Sequence, residues 1–128
     1  MITSDMSSIK IRTRSGEWSA VLDDSDISNE IWLSLPFSSD INMLGSQMYF
    51  VMPLDSKVKG DSKVFDKGDI VYWPEADALC IFFGPTPLSV DDRPVAAFPM
   101  KKIGYVTEEC SGMEMSGDRT RITIERSF

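Results

Sequence analysis

The sequence predicts a mainly β protein, a closed or nearly closed β-barrel with one short helix. Three observations carry that prediction. Apolar and polar residues alternate in short runs bounded by turn residues, as in "IKIRT" and "EWSAVL". Two further runs, "DIVYWP" and "ALCIFFG", are apolar at alternate and at intervening positions, which suits strands covered on both faces or lining a cavity. Only "DDSDISNEIWLSLP" shifts to helical spacing. About eight strands then need protected edges, and closure into a barrel removes exposed edges.

Each element follows in order. Residues Met1–Ser8 precede the first alternating run and are expected to be frayed. "IKIRT", the turn "RSG" and "EWSAVL" read as an opening β-hairpin. Asp23, Asp24 and Ser25 then offer helix N-caps, Ile27, Ile31 and Leu35 recur at four-residue spacing, and Pro36 ends the helix. After a loop, "QMYFVMP" is a strand stopped by Pro53, and "DSKVKGDSK" is a mobile polar connection. "DIVYWP" and "ALCIFFG" are joined by "EAD", and a long loop with three prolines, "PTPLSVDDRP", follows them. "KKIGYVTEE" and "RTRITIERS" close the chain as strands, separated by the loop "CSGMEMSGD". No internal repeat or low-complexity tract interrupts this order, so residues 1–128 are expected to form one domain.

Composition narrows the function. With 42% hydrophobic and 26% charged residues the chain resembles a soluble globular protein able to bury a core. No run approaches the ~20 apolar residues that span a bilayer. "MITSDMSSIK" lacks the basic start and apolar run of a secretory signal, so a cytoplasmic location is the default expectation. A net charge of −7 argues against a nucleic-acid partner, which needs a basic stripe, and against anionic membrane surfaces. The chain has no histidine and two cysteines. That removes His-based triads, Cys–His pairs and every His-containing metal site, and no CxxC is present either. No metal and no cofactor are expected, and any chemistry must use carboxylates, Lys, Arg, Tyr, Ser or Cys. Cys80 sits in an apolar strand, where a thiol behaves as a small hydrophobe, whereas Cys110 falls in a polar loop.

"INMLGSQMYF", "GDIVYWPEADALCIFFGPTPLS" and "KKIGYV", with the short helix before "LPFSSDIN", resemble the cyclophilin-like family of small uncharacterised bacterial and archaeal proteins of the Thermotoga type. The resemblance spans about Asp23 to Glu108, and its most specific part is Gly-Asp-x-x-Tyr-Trp-Pro followed by Phe-Phe-Gly-x-Thr-Pro. It implies a cyclophilin-like β-barrel and no defined activity, since fold alone does not carry chemistry. Relatives usually have Trp-Gly-x-Glu before the Tyr-Phe pair, where this chain has Leu44, Gly45, Ser46 and Gln47. True cyclophilins isomerise prolyl bonds with an arginine in Arg-x-x-x-x-Phe-Met-x-Gln, and five residues before Phe50 stands Gly45. Arg93 precedes Phe98 by five, but Pro99, Met100 and Lys101 break the remainder of that pattern.

The candidate site is therefore a cleft beside the barrel, with Gln47, Tyr49, Phe50, Tyr72, Trp73, Phe83 and Thr86 expected at its walls. Tyr and Trp carry polar atoms that want partners when buried, and Pro74 puts Tyr72 and Trp73 at a strand end. Barrel core is the plainer reading for Phe82 and Phe83, one of which alternation turns inward. Gly84 offers either a rigid turn or close backbone approach, and Thr86 between two prolines is a fixed hydroxyl. Glu75, Asp77, Asp91 and Asp92 lack cation-loop spacing and read as solvated. Met43, Met48, Met52 and Met100 read as adaptable core fillers. The expected partner is a small-molecule or peptide ligand. The alternatives are an enzyme using Tyr and carboxylate groups in the same cleft, and a purely structural or oligomer-forming module. A homodimer stays open, although no heptad or exposed strand demands one.

Overall fold

Alternation in the sequence becomes strand pairing in the computed structural model, which describes residues 7–127. The elements are β1 (Ser7–Thr13), β2 (Gly16–Leu22), α1 (Asp26–Leu33), β3 (Phe37–Asp40), β4 (Asn42–Leu44), β5 (Gln47–Val51) and β6 (Ser62–Val64). They continue with β7 (Asp69–Trp73), β8 (Ala78–Phe82), β9 (Val95–Val106) and β10 (Arg121–Arg126). The strands lie in the order β3-β10-β1-β2-β9-β7-β8-β5-β4, and β6 pairs with β9 alone. The sheet curls into a barrel, but among the described residues hydrogen bonds do not close it, because β3 and β4 are its two ends. β3 comes back toward β5, with the Ser39 hydroxyl 3.5 Å from the Val51 carbonyl oxygen. The barrel is thus nearly closed.

Period-two patterning decides which side chains enter it. In the first hairpin Ile9 pairs with Ala20 and Ile11 with Trp18, and all four are buried inside. From the other half of the sheet Met48, Phe50, Ile70, Tyr72, Leu79 and Ile81 meet them in the same core. Helix α1 adds Ile27 and Ile31 to that core. Its N-cap is Ser25, whose hydroxyl accepts the Ser28 N–H, and Asp23 accepts from both serine hydroxyls at 2.6 and 2.7 Å. At its far side the Glu30 carboxylate accepts the backbone N–H groups of Asp55 and Ser56, which lowers its pKa and ties the helix to the loop after β5.

The intervening residues of β7 and β8 form a second apolar layer on the outside. Val71, Cys80 and Phe82 pack there with Phe65, Ala96 and Met100, and Tyr49 and Trp73 lean against them. The cover comes from β6 and the first half of β9. β9 is long enough to cover this outer face and then join the barrel between β2 and β7. This is why both faces of "DIVYWP" and "ALCIFFG" are apolar.

Several expectations need correction. Ser7 and Ser8 are not frayed but pair with Leu22 and Val21, while Met1–Met6 lie outside the described residues. The polar connection after β5 runs into β6, and the loop before "QMYFV" contains β3 and β4, so there are ten described strands. The loop around "CSGMEMSGD" winds into a 3-10 helix over Ser111–Ser116, which buries Met113. Cys110, expected in a polar loop, is buried beside Gly68, and burial raises its thiol pKa. Among the described residues no helix is long and apolar enough to cross a membrane.

Candidate functional site

Four segments enclose a cavity of about 250 Å³ on the outer face of the barrel. The β4–β5 hairpin supplies Leu44 and Gln47, and the end of β7 supplies Trp73. The loop after β8 contributes Thr86, Pro87 and Leu88, and β9 contributes Val95, Ala97, Phe98 and Met100. None of these ten side chains is titratable.

Local geometry explains how each segment arrives. The hairpin turns at Gly45 with φ +59°, and a Cβ there would sit 2.9 Å from Pro87 Cδ, so only glycine lets the proline loop close on it. A Cβ on Gly84 would likewise lie 2.9 Å from Ser46 Oγ; its bareness brings the two turns together. The Thr86 hydroxyl donates to the Val95 carbonyl and accepts the Leu88 N–H at 3.2 Å, so it fastens the loop to β9. On β9 a bulge does the rest. Ser62 faces Met100 and Val64 faces Val95, two steps of β6 against five of β9. The surplus residues bow outward and bring neighbouring Ala97 and Phe98 to one cavity, which a regular strand would place on opposite faces.

Trp73 is the centre of the wall. Its indole stacks on Phe98 at 5.6 Å between ring centroids and meets Tyr49 edge-on at 5.7 Å. Its Nε1–H is buried and, among the described residues, has no hydrogen-bond partner, a state that costs roughly 1–3 kcal/mol. Beside it, Gln47 is buried and its carboxamide meets the Cys80 thiol. Burial pushes that thiol up to about 12, well out of the range of a reactive thiolate.

A second hollow of about 450 Å³ lies on the other side of the Gly84–Pro85 turn, lined in part by Ser46, Lys67, Phe83, Asp92 and Arg93. Its two cations are already paired, Lys67 with Glu109 at 3.5 Å and Arg93 with Asp66 at 3.1 Å. Among the described residues no cluster of three metal-ligating side chains occurs.

The model of the family described as cyclophilin-like matches residues 7–125. The chain belongs to that family. The solution structure of the hypothetical protein AF2241 from Archaeoglobus fulgidus is similar to it, with a TM-score of 0.79, 28% identity and 98% of each chain covered. A comparison with curated proteins finds no match.

Much of the cyclophilin-like signature builds the barrel. Asp69 is buried, accepts the Asp66 N–H at 2.8 Å and pairs with Lys102 at 3.0 Å. Tyr72 points inward, donates its hydroxyl to the Met52 carbonyl at 3.3 Å and is pushed up to about 12, first by burial and then by Asp77. Phe82 stacks outside on Phe65 at 5.3 Å.

The expected cleft residues therefore part company. Gln47, Trp73 and Thr86 come together in one wall, and Tyr49 stands behind Trp73. Phe50 and Tyr72 are interior core on the opposite face of their strands, and Phe83 joins that core while edging the second hollow. Leu44 and Gln47, where family resemblance implies Trp and Glu, both line the cavity. Met100 is both packed and part of the wall. Missed from the sequence were Leu44, Pro87, Leu88, Val95, Ala97 and Phe98. The three prolines of "PTPLSVDDRP" marked the loop, but nothing local marked the bulge.

Proposed function

We propose that this chain binds a small molecule, or one side chain of a peptide, in the apolar cavity between the β4–β5 hairpin, the proline loop and the β9 bulge. The observation that carries the reading is an uncharged cavity of about 250 Å³ whose rim holds Leu44, Leu88 and Phe98, each about half exposed. An engineered apolar cavity of about 150 Å³ in another protein stays dry and takes up benzene, so this one has room for a substituted ring. Apolar burial drives such binding and the few polar groups of the wall orient the occupant.

The enzymatic alternative has less support. Tyr72 and Asp77 approach one another at 3.5 Å, yet Tyr72 belongs to the interior and its raised pKa keeps the phenol protonated. Prolyl isomerisation needs a cationic donor near the imide nitrogen, and among the described residues no cation lines the cavity.

The test is an amide NMR titration of isotope-labelled protein with an Ala-Pro peptide and, separately, with acetophenone and α-methylstyrene. Shifts gathered at Gln47, Trp73, 86–88 and 95–100 are the expected result. Absence of such shifts with all three probes at millimolar concentration overturns the reading. Accelerated cis/trans exchange of the peptide would replace it with catalysis.

A further inference from the structure

We infer that the cavity selects an uncharged ligand carrying a hydrogen-bond acceptor, of the class of small aromatic or alicyclic carbonyl compounds. This rests on the cavity reading above and adds the chemical identity of its occupant. Charge is decided first. None of the ten wall residues bears a charge, so a carboxylate or ammonium would enter without a counter-ion and lose its hydration. The polar pattern is decided by two groups. Trp73 Nε1–H is a donor and nothing else, and among the described residues it has no partner. The Gln47 carboxamide has two donors and two lone pairs, and its side-chain neighbour is the Cys80 thiol, a weak partner. The third polar side chain, Thr86, already gives its proton to Val95. Two N–H donors, one indole and one carboxamide, in an otherwise apolar wall match a carbonyl oxygen; a hydrocarbon leaves them as they are.

Access to the indole N–H requires ring movement, because the atom is closed to solvent. Phe98, stacked on the indole and half exposed, stands in the bulge where no ladder partner holds it, so its displacement breaks no strand pair. The occupant thus slides between Phe98 and the proline loop and carries its oxygen toward Trp73 and Gln47.

The experiment compares three molecules of one shape: acetophenone, α-methylstyrene, in which CH₂ replaces the carbonyl oxygen, and benzoate. Affinities come from the NMR titration, with wild type, Trp73→Phe and Gln47→Leu. The expected result is a wild-type preference for acetophenone over benzoate. The acetophenone to α-methylstyrene affinity ratio should fall by about tenfold in Trp73→Phe, the equivalent of one hydrogen bond, and also fall in Gln47→Leu. Using the ratio removes any general loosening of the fold, and two variants guard against one failing to fold. If both variants leave the ratio unchanged while both neutral probes bind, the acceptor inference is overturned and the cavity reading stands. Benzoate binding as tightly as acetophenone overturns the neutrality. Failure of all three probes with the Ala-Pro peptide still binding overturns this inference alone, and failure of the peptide as well overturns the cavity reading itself.

Discussion

Replacing Gly104 by alanine should separate the two halves of the barrel. The pairing of β2 with β9 is the only join between β3-β10-β1-β2 and β9-β7-β8-β5-β4 in the described sheet, and it has three paired positions. At one end of this seam Gly104 faces Leu22, and a Cβ there would lie 2.2 Å from the Val21 carbonyl oxygen and 3.1 Å from Leu22 Cα. Those are backbone atoms and cannot rotate away, so the strands must part by about an ångström or more to reach ordinary contact. The Asp23 N–H to Ile103 bond at 2.7 Å and the Thr107 N–H to Ser19 bond at 2.9 Å bracket this seam. Such a stretch takes them, and the ladder bonds between them, beyond hydrogen-bonding range. Loss of about three bonds at about 1 kcal/mol each gives roughly 3 kcal/mol. For a chain of this size that is a fall in Tm of about 10–15 °C. Thermal unfolding followed by circular dichroism reads it, with Gly112→Ala as control, because a Cβ on Gly112 meets only Trp18 Cζ2 at 3.7 Å. A Gly104→Ala Tm within about 3 °C of wild type, or no larger a change than the control, refutes the reasoning.

Two further predictions concern the cavity wall and the acid limb of stability. A Cβ on Gly60 would lie 2.2 Å from the Pro99 carbonyl oxygen, between Phe98 and Met100 of the wall, so Gly60→Ala should weaken acetophenone binding by about tenfold while lowering Tm less than Gly104→Ala does. Equal affinity for wild type and variant would show that the bulge position does not shape the cavity. The Glu109 carboxylate accepts the Ser111 N–H at 2.7 Å and faces Lys67, which together hold its pKa at about 2 against a reference of 4.5. Its contribution to stability is present above 4.5 and lost as pH falls through about 2. Carbon-detected NMR titration of Glu109 should show that low midpoint in wild type and a rise in Lys67→Met, and a wild-type midpoint near 4.5 contradicts the contacts.

Elements with a local signal could be read directly from the chain. β1 and β2 alternate strictly, α1 carries its cap in Ser25 and its apolar spacing in Ile27 and Ile31, and β7 and β8 announce two covered faces through unbroken apolar runs. Half-buried strands and capped helices write their environment into adjacent residues, so these were legible. Family resemblance added the barrel, and Gln47, Trp73 and Thr86 stood close enough to strand ends to be drawn toward one wall. The tertiary structure alone decided the rest. β3, β4 and β6 have three or four residues each, too few for a period, and exist because β10, β5 and β9 offer them backbone partners. Phe50 and Tyr72 turned inward because register chooses between two faces that look equally apolar in the sequence. Phe98 and Ala97 reached the cavity through a bulge, a mismatch of length between two strands 31 residues apart from Val64 to Val95. Such a mismatch belongs to the pair of strands, and neither strand's own sequence contains it.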